Sequence, residues 1–286
     1  MREELCLFGF SLFVLLVVMK FFEVLKNLFF VPKCLSCDER LLPVIEGNGR
    51  GKLCFCDDCL KKWDQARGNI CPACSEIAAT CSCLPKFFKD NQPSVPSVCF
   101  YNPKSNDIQT RAILKMKRIN NSHYFEFMAE ELYPSLENLF FETGIKPAEC
   151  LFTWIPRKRA SVSKHGFDQG RELAKKVAKM FGASVKPVFF RFAGEEQKTL
   201  SKKERKENAE DSIFLLGSGI GRKRRRTRKS FAKGKTFVII DDVLTSGATL
   251  KRGVELLKSA GAEVAVVACI ARTEVKAKKR GIIDTF

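Results

Sequence analysis

The sequence predicts an α/β protein: a mostly parallel sheet covered by helices, with a small cysteine-rich module ahead of it. Three observations lead there. From residue 151 onwards, apolar β-branched runs alternate with amphipathic stretches in the order strand, helix, strand, strand, helix, strand, the pattern of strands joined by crossover helices. One of these runs, Thr236 to Ile240, leads directly into two acids, a small hydroxyl-rich turn and a helix. Ten of the 13 cysteines lie between Cys34 and Cys99, mostly in tight pairs.

Length and charge agree with this division. The 286 residues suffice for one α/β domain plus a smaller module, and a hydrophobic share of 45% supports a real core. Lys and Arg number 50 against 32 acids, a formal net charge of +18. So basic a chain favours a polyanionic partner, without choosing among nucleic acid, anionic lipid and phosphorylated small molecules. The composition suggests three segments: an apolar to amphipathic start over 1–31, a cysteine-rich region over 32–90 and the α/β domain over 95–286.

Leu5 to Met19 is almost wholly apolar but short for a membrane span, and it lacks a basic leader and a small-residue cleavage site. Three readings stay open. It is a signal-anchor, a helix lying on the protein or a membrane, or an upstream extension of a chain whose natural start is Met19. Phe21, Phe22, Leu25, Leu28 and Phe29 then recur at helical spacing up to Pro32.

Cys34-x2-Cys37 and Cys56-x2-Cys59 offer four thiolates, which is tetrahedral zinc chemistry. Cys71-x2-Cys74 with Cys81-x-Cys83 offers a second, less regular set. Four thiolates leave no open coordination position, so a zinc ion there is structural. It would supply folding free energy to a segment with little apolar content of its own. Unligated or redox-paired thiols are the alternative. Pro85, Pro93 and Pro96 mark a linker, with a domain boundary near residue 95.

Beyond it, Ser97 to Tyr101 and Leu151 to Ile155 are expected strands, the second closed by Pro156. Ile108 to Lys117 and Tyr124 to Phe141 are expected helices. Arg157-Lys158-Arg159 opens a polar loop that runs to Gln169, and a helix continues to about Phe181. Val185 to Phe190 is the next strand. Glu195 to Asn208 is so polar that it reads as an exposed loop or a solvated helix. Arg222 to Lys229 holds seven basic residues in eight, either a solvated loop or a contact for a phosphate backbone. Glu263 to Ala271 is the last strand, and a basic tail, Lys276 to Arg280, follows.

The stretch after Ile240 carries the chemistry. Asp241 and Asp242 can accept hydrogen bonds from a pair of vicinal hydroxyls. Thr245, Ser246, Gly247, Ala248 and Thr249 form a small turn ahead of a helix that starts at Leu250 and is stopped by Gly261. Free backbone N–H groups and the helix dipole favour a phosphate at such a terminus, and Gly247 lets the backbone approach it. The parts suit a phosphorylated sugar. The alternative is a surface turn with an acid pair and a Thr cap.

These residues resemble the phosphoribosyl-pyrophosphate (PRPP) motif of type I phosphoribosyltransferases: a hydrophobic strand, two acids, two residues, then T-[ST]-G-x-T. From about Met19 to Arg272 the chain is also similar to ComF-type competence proteins. The shared features are the amphipathic start, the cysteine region, Tyr101 with Lys117, Ile155-Pro156-Arg157, Gly166-Phe167-Asp168-Gln169, and Gln197-x2-Leu200-x3-Glu204-Arg205-x2-Asn208. His165 stands where Arg is usual and Asp168 where Asn is usual, and the Arg222 to Lys229 block is longer than the family pattern.

The resemblance implies a type I phosphoribosyltransferase-like, Rossmann-like parallel sheet with a four-cysteine zinc ribbon. It also implies a cytoplasmic role in natural transformation, at the inner face of the membrane, handling single-stranded DNA beside a helicase and a DprA-like protein. In an enzyme reading, PRPP binds with Mg²⁺, Asp241 and Asp242 orient the ribose, and Arg157 and Lys158 hold the pyrophosphate. Gln197 and Arg205 then reach in from a closing loop. Two alternatives remain: a catalytically silent single-stranded DNA-binding protein that keeps the fold, and a salvage-type phosphoribosyltransferase unrelated to competence.

Overall fold

Two long apolar strands form the centre of the sheet. In the computed structural model, which describes residues 31–41, 53–92, 94–191, 212–216 and 231–273, β6 spans Thr236–Leu244 and β7 spans Val264–Thr273. Both are buried on two faces, which is why they read as near-continuous Val, Ile and Ala runs. Around them lie β1 (Cys99–Tyr101), β2 (Leu151–Trp154) and β3 (Ser184–Val185). The sheet order is β1-β7-β6-β2-β3, and every pairing in it is parallel.

The helices are α1 (Asp57–Arg67), α2 (Lys86–Lys89), α3 (Ile108–Met116), α4 (Ser122–Thr143), α5 (Arg159–His165), α6 (Gln169–Met180) and α7 (Ala248–Ser259). Asn121 accepts a bond from the His123 amide to start α4, and Gly144, in the left-handed region at φ 67°, ends it. Alternation along β6 divides the core. Phe237 and Ile239 pack with Val254 and Leu257 of α7 and with Phe189. Val238 and Ile240, one residue out of phase, fall on the opposite face, where α6 lies. Phe140, Phe152 and Phe181 stack together, with ring centroids 5.2–6.4 Å apart.

Several expectations shift. The run from Val185 to Phe190 is not one strand. Ser184–Val185 belongs to the main sheet, while β4 (Phe189–Arg191) pairs antiparallel with β5 (Ile213–Leu215) in a separate two-stranded sheet. Pro187, which has no N–H to donate, falls between the two pieces. The polar stretch after Arg157 contains the short helix α5, ended by Gly166 at φ 77°. The proline-marked 85–96 stretch holds α2 and packs closely. The Gln92 side chain donates to the Val267 carbonyl (3.1 Å) and accepts from the Val267 amide (2.8 Å), so it completes the β7 edge as a strand residue would.

The chain divides into two compact units, Met1–Leu60 and Lys61–Phe286. The second cysteine set therefore shares a unit with the sheet, although composition suggested a boundary near residue 95. No helix among the described residues is long and apolar enough to cross a membrane. The Leu5 to Met19 run, the Glu195 to Asn208 segment, the Arg222 to Lys229 block and the basic tail lie outside the described residues.

Candidate functional site

β2 and β6 are neighbours whose crossovers leave in opposite directions. α7 carries the chain from β6 to β7 on one side, and α6 carries it from β2 to β3 on the other. In open parallel sheets the crevice beyond the carboxyl ends of such a strand pair is where ligands bind. A cavity of about 200 Å³ lies there, lined by Pro156, Arg157, Gln169, Arg191, Asp241 and the turn Thr245 to Leu250.

The turn has the features an anion site needs. Gly247 is the N-cap of α7 at φ 74°, and no side chain caps that terminus. The first-turn amides thus have no side-chain acceptor of the usual kind. The nearest is the Ser246 hydroxyl, 3.5 Å from the Ala248 amide. Glycine is needed at 247 for two reasons: its backbone conformation, and the Phe88 ring, which a Cβ there would strike. By contrast, α6 is capped by a carboxylate, as Asp168 accepts from the amides of Gly170 (3.1 Å) and Arg171 (3.5 Å).

Consecutive strand residues face opposite ways, so the two acids separate. Asp241 lines the cavity on the α7 side and accepts from the Asp242 amide at 2.8 Å. Burial and the adjacent Asp242 carboxylate push Asp241 up to about 7. Asp242 faces α6, where it accepts from Gln169 Nε2 at 2.9 Å and pairs with Lys117 Nζ at 3.3 Å.

Lys117 also has a second task, because its carbonyl accepts from Arg157 Nη1 at 2.9 Å. Asp168 Oδ2 accepts from the Arg157 amide (3.1 Å) and from Trp154 Nε1 (3.3 Å), so the Gly166-Phe167-Asp168-Gln169 loop holds the Pro156 turn in place. Lys158 is exposed and is not part of the cavity lining. Gln197 and Arg205 lie outside the described residues.

Arg191 is absent from the sequence-based set. It ends β4, and the isolated arginine after two phenylalanines was its only local signal. Its Nε is buried with no hydrogen-bond partner. Burial lowers its pKa, while the Asp241 and Asp168 carboxylates pull the other way.

The eight paired cysteines form two groups, Cys34, Cys37, Cys56 and Cys59, then Cys71, Cys74, Cys81 and Cys83. In each group the four sulfurs lie within 4.8 Å of one another, and each group could hold a metal ion. Cys37 and Cys56 sulfurs are 3.6 Å apart, and Cys74 and Cys81 sulfurs 3.5 Å. A tetrahedron with metal–sulfur bonds of about 2.3 Å has edges of about 3.8 Å, so the donor sets fit.

Comparison with known proteins gives the family. The phosphoribosyl transferase domain family matches residues 167–285, which include the Asp241 to Thr249 turn. Competence protein ComFC of Streptococcus pneumoniae is 23% identical over 239 residues, 81% of this chain and 96% of that protein. The chain is a ComF-type, phosphoribosyltransferase-like protein. Similar solved structures include phosphoribosylpyrophosphate synthetase from Mycobacterium smegmatis (18% identity, TM-score 0.28). They also include glutamine PRPP amidotransferase from B. subtilis (16% identity, TM-score 0.30). The matches cover 50% and 56% of this ComF-type chain, which spans only 33% and 26% of those proteins. Adenine phosphoribosyltransferase from Thermoanaerobacter pseudethanolicus is 13% identical, covering 57% of this chain and 85% of its own, with a TM-score of 0.32. The parallel sheet with its cysteine sets is the fold expected of a ComF-type chain.

Proposed function

We propose that the cavity binds PRPP, or a closely related phosphorylated sugar, and that the protein handles single-stranded DNA in natural transformation. One observation carries the first part: Asp241, the Arg157 turn and the uncapped N-terminus of α7 meet in a single cavity at the switch point of the sheet.

In this reading the amides of residues 245–249 and the dipole of α7 hold the 5-phosphate. Asp241 accepts from a ribose hydroxyl. Asp242, fixed by Lys117 and Gln169, supports the wall behind it. Arg157, with one arm on the Lys117 carbonyl, meets the pyrophosphate. Asp241 and the ligand's own oxygens suit a Mg²⁺ ion, whose charge would offset that of the phosphates. If phosphoribosyl transfer occurs, departure of pyrophosphate leaves an oxocarbenium-like sugar. The chain's contribution is then positioning and preorganised charge. The eight cysteines are proposed to hold two structural zinc ions.

Isothermal titration with PRPP and Mg²⁺ tests the site. Saturable binding that Asp241→Asn with Asp242→Asn abolishes is expected; a wild type that takes up no PRPP overturns the reading. The DNA role is supported by the +18 charge and by the competence protein among the relatives. Replacing Arg222 to Lys229 with serines is expected to weaken single-stranded DNA binding and flatten its salt dependence. Unchanged affinity at low salt removes that segment from the proposal.

A further inference from the structure

Arg191 has no role in the reading above, yet it lines the same cavity. Phe189 and Arg191 share one face of β4. Phe189 is buried against α7, since a Cβ on Gly253 would meet its ring at 3.4 Å. That contact aims the same face, two residues later, at the carboxyl end of the sheet.

The carboxylates that act on Arg191 are Asp241 and Asp168. Asp168 is bonded to the Arg157 amide, so Arg191 stands at the Arg157 end of the cavity, away from the uncapped amides of α7. Arg157 already has a fixed partner in the Lys117 carbonyl. Arg191 makes no hydrogen bond or ion pair among the described residues, and its Nε is buried without one. A half-buried guanidinium left unpaired is costly, and an anion that accepts a two-pronged bond from it removes that cost.

The two ends of the cavity therefore offer separate anion sites. One is built from backbone amides and suits a phosphate monoester. The other is built from two guanidinium groups and holds more positive charge than a monoester at the far end would use.

We infer that Arg191 reads a second phosphate, on the anomeric side of the sugar, and makes the cavity select sugars phosphorylated at both ends over sugars carrying the 5-phosphate alone. This deepens the phosphosugar reading and rests on it. Removing Arg191 strands no partner, because none of the described residues bonds to it, so Arg191→Gln is expected to fold.

The test is isothermal titration of the full-length protein with PRPP and with ribose 5-phosphate, each with Mg²⁺, for wild type, Arg191→Gln and Arg191→Lys. Arg191→Gln is expected to weaken PRPP binding by about ten- to a hundredfold, the size of one charge-assisted fork, while ribose 5-phosphate changes by less than about twofold. Arg191→Lys keeps the charge without the fork and is expected to fall between. Equal loss of both ligands, or no loss of either, overturns the inference with the phosphosugar site intact. A wild type that binds neither ligand overturns the phosphosugar reading and this inference together.

Discussion

The two cysteine groups are built on the same knuckle, yet they are tied into the protein differently. In the first, the Cys34 amide bonds the Glu39 carbonyl (2.7 Å) and the Ser36 amide bonds the Cys34 sulfur (3.4 Å). In the second, the Cys71 amide bonds the Glu76 carbonyl (2.8 Å) and the Ala73 amide bonds the Cys71 sulfur (3.5 Å). Each carries an isolated antiparallel bridge, Lys33 with Arg40 and Ile70 with Ile77. Each places the residue after its second cysteine in the left-handed region, Asp38 at φ 66° and Ser75 at φ 62°.

The other half of each group differs. Cys59 sits in the first turn of α1, whose N-terminus favours thiolate. Cys81 has no helix. Its positive partner is Arg272 at the end of β7, which donates to the Cys81 sulfur (2.6 Å) and carbonyl (2.7 Å) and to the Cys83 carbonyl (3.3 Å). Arg272 is only 2% exposed and lies over the Phe100 ring. From Cys83 the chain runs through Leu84 into α2, whose Phe88 ring covers Gly247. The same local chemistry therefore serves one group as a local clasp and the other as a support for the phosphate turn.

The largest expected difference follows from removing each metal set in turn. Cys71→Ser with Cys74→Ser should lower stability by about 4 kcal/mol or more and abolish measurable PRPP binding. Cys34→Ser with Cys37→Ser should lose one metal equivalent by elemental assay, with PRPP affinity held within about twofold. Equal losses of affinity from both pairs would erase the distinction.

Gly247→Ala strikes the same support from the other side. Positive φ and the Phe88 ring together should cost about 2–3 kcal/mol by denaturant melting, with a matching loss of PRPP affinity. A neutral result would mean that the turn does not depend on α2.

Part of this was legible in the residues. The β6 run, the small turn and the following helix were, because each is a local pattern. The separation of the two acids was not, because the strand was expected to end at Ile240. It runs on to Leu244, so alternation turns Asp241 and Asp242 apart. Arg191 was hidden because β4 has three residues and its partner β5 follows more than twenty residues later. The Arg272 contact joins residues 191 positions apart, and nothing local in either segment announces it. Nor did the prolines around Gln92 reveal that its amide finishes a strand edge.

Smaller effects separate the ligand site from its support. Asp241 ionises in the unfolded chain near its ordinary value of 3.8, but in the folded protein only near 7. The folded state therefore holds a proton that the unfolded state releases. This carboxylate lowers stability progressively as pH rises from about 4 to 7, and its cost is fully present above that. Asp241→Asn should raise stability at pH 8 by on the order of 1–2 kcal/mol and leave it nearly unchanged at pH 4, read by thermal melting. A gain that is the same at both pH values would point to packing instead of charge.

The smallest effect lies in the knuckles. Ser75→Gly relieves a positive φ and should gain about 0.5 kcal/mol, more than Asp38→Gly, since Asp tolerates that region better. Thermal melting of the two variants with metal bound checks the order.

Amide hydrogen exchange on the full-length protein, with and without PRPP and Mg²⁺, addresses the cavity most directly. The expected result is slowed exchange in residues 245–250, at the start of α7, and at Arg157 beside it, with the rest of α7 little changed. Unaltered exchange in 245–250 at saturating PRPP, or protection confined to other segments, would contradict a phosphate held by that turn.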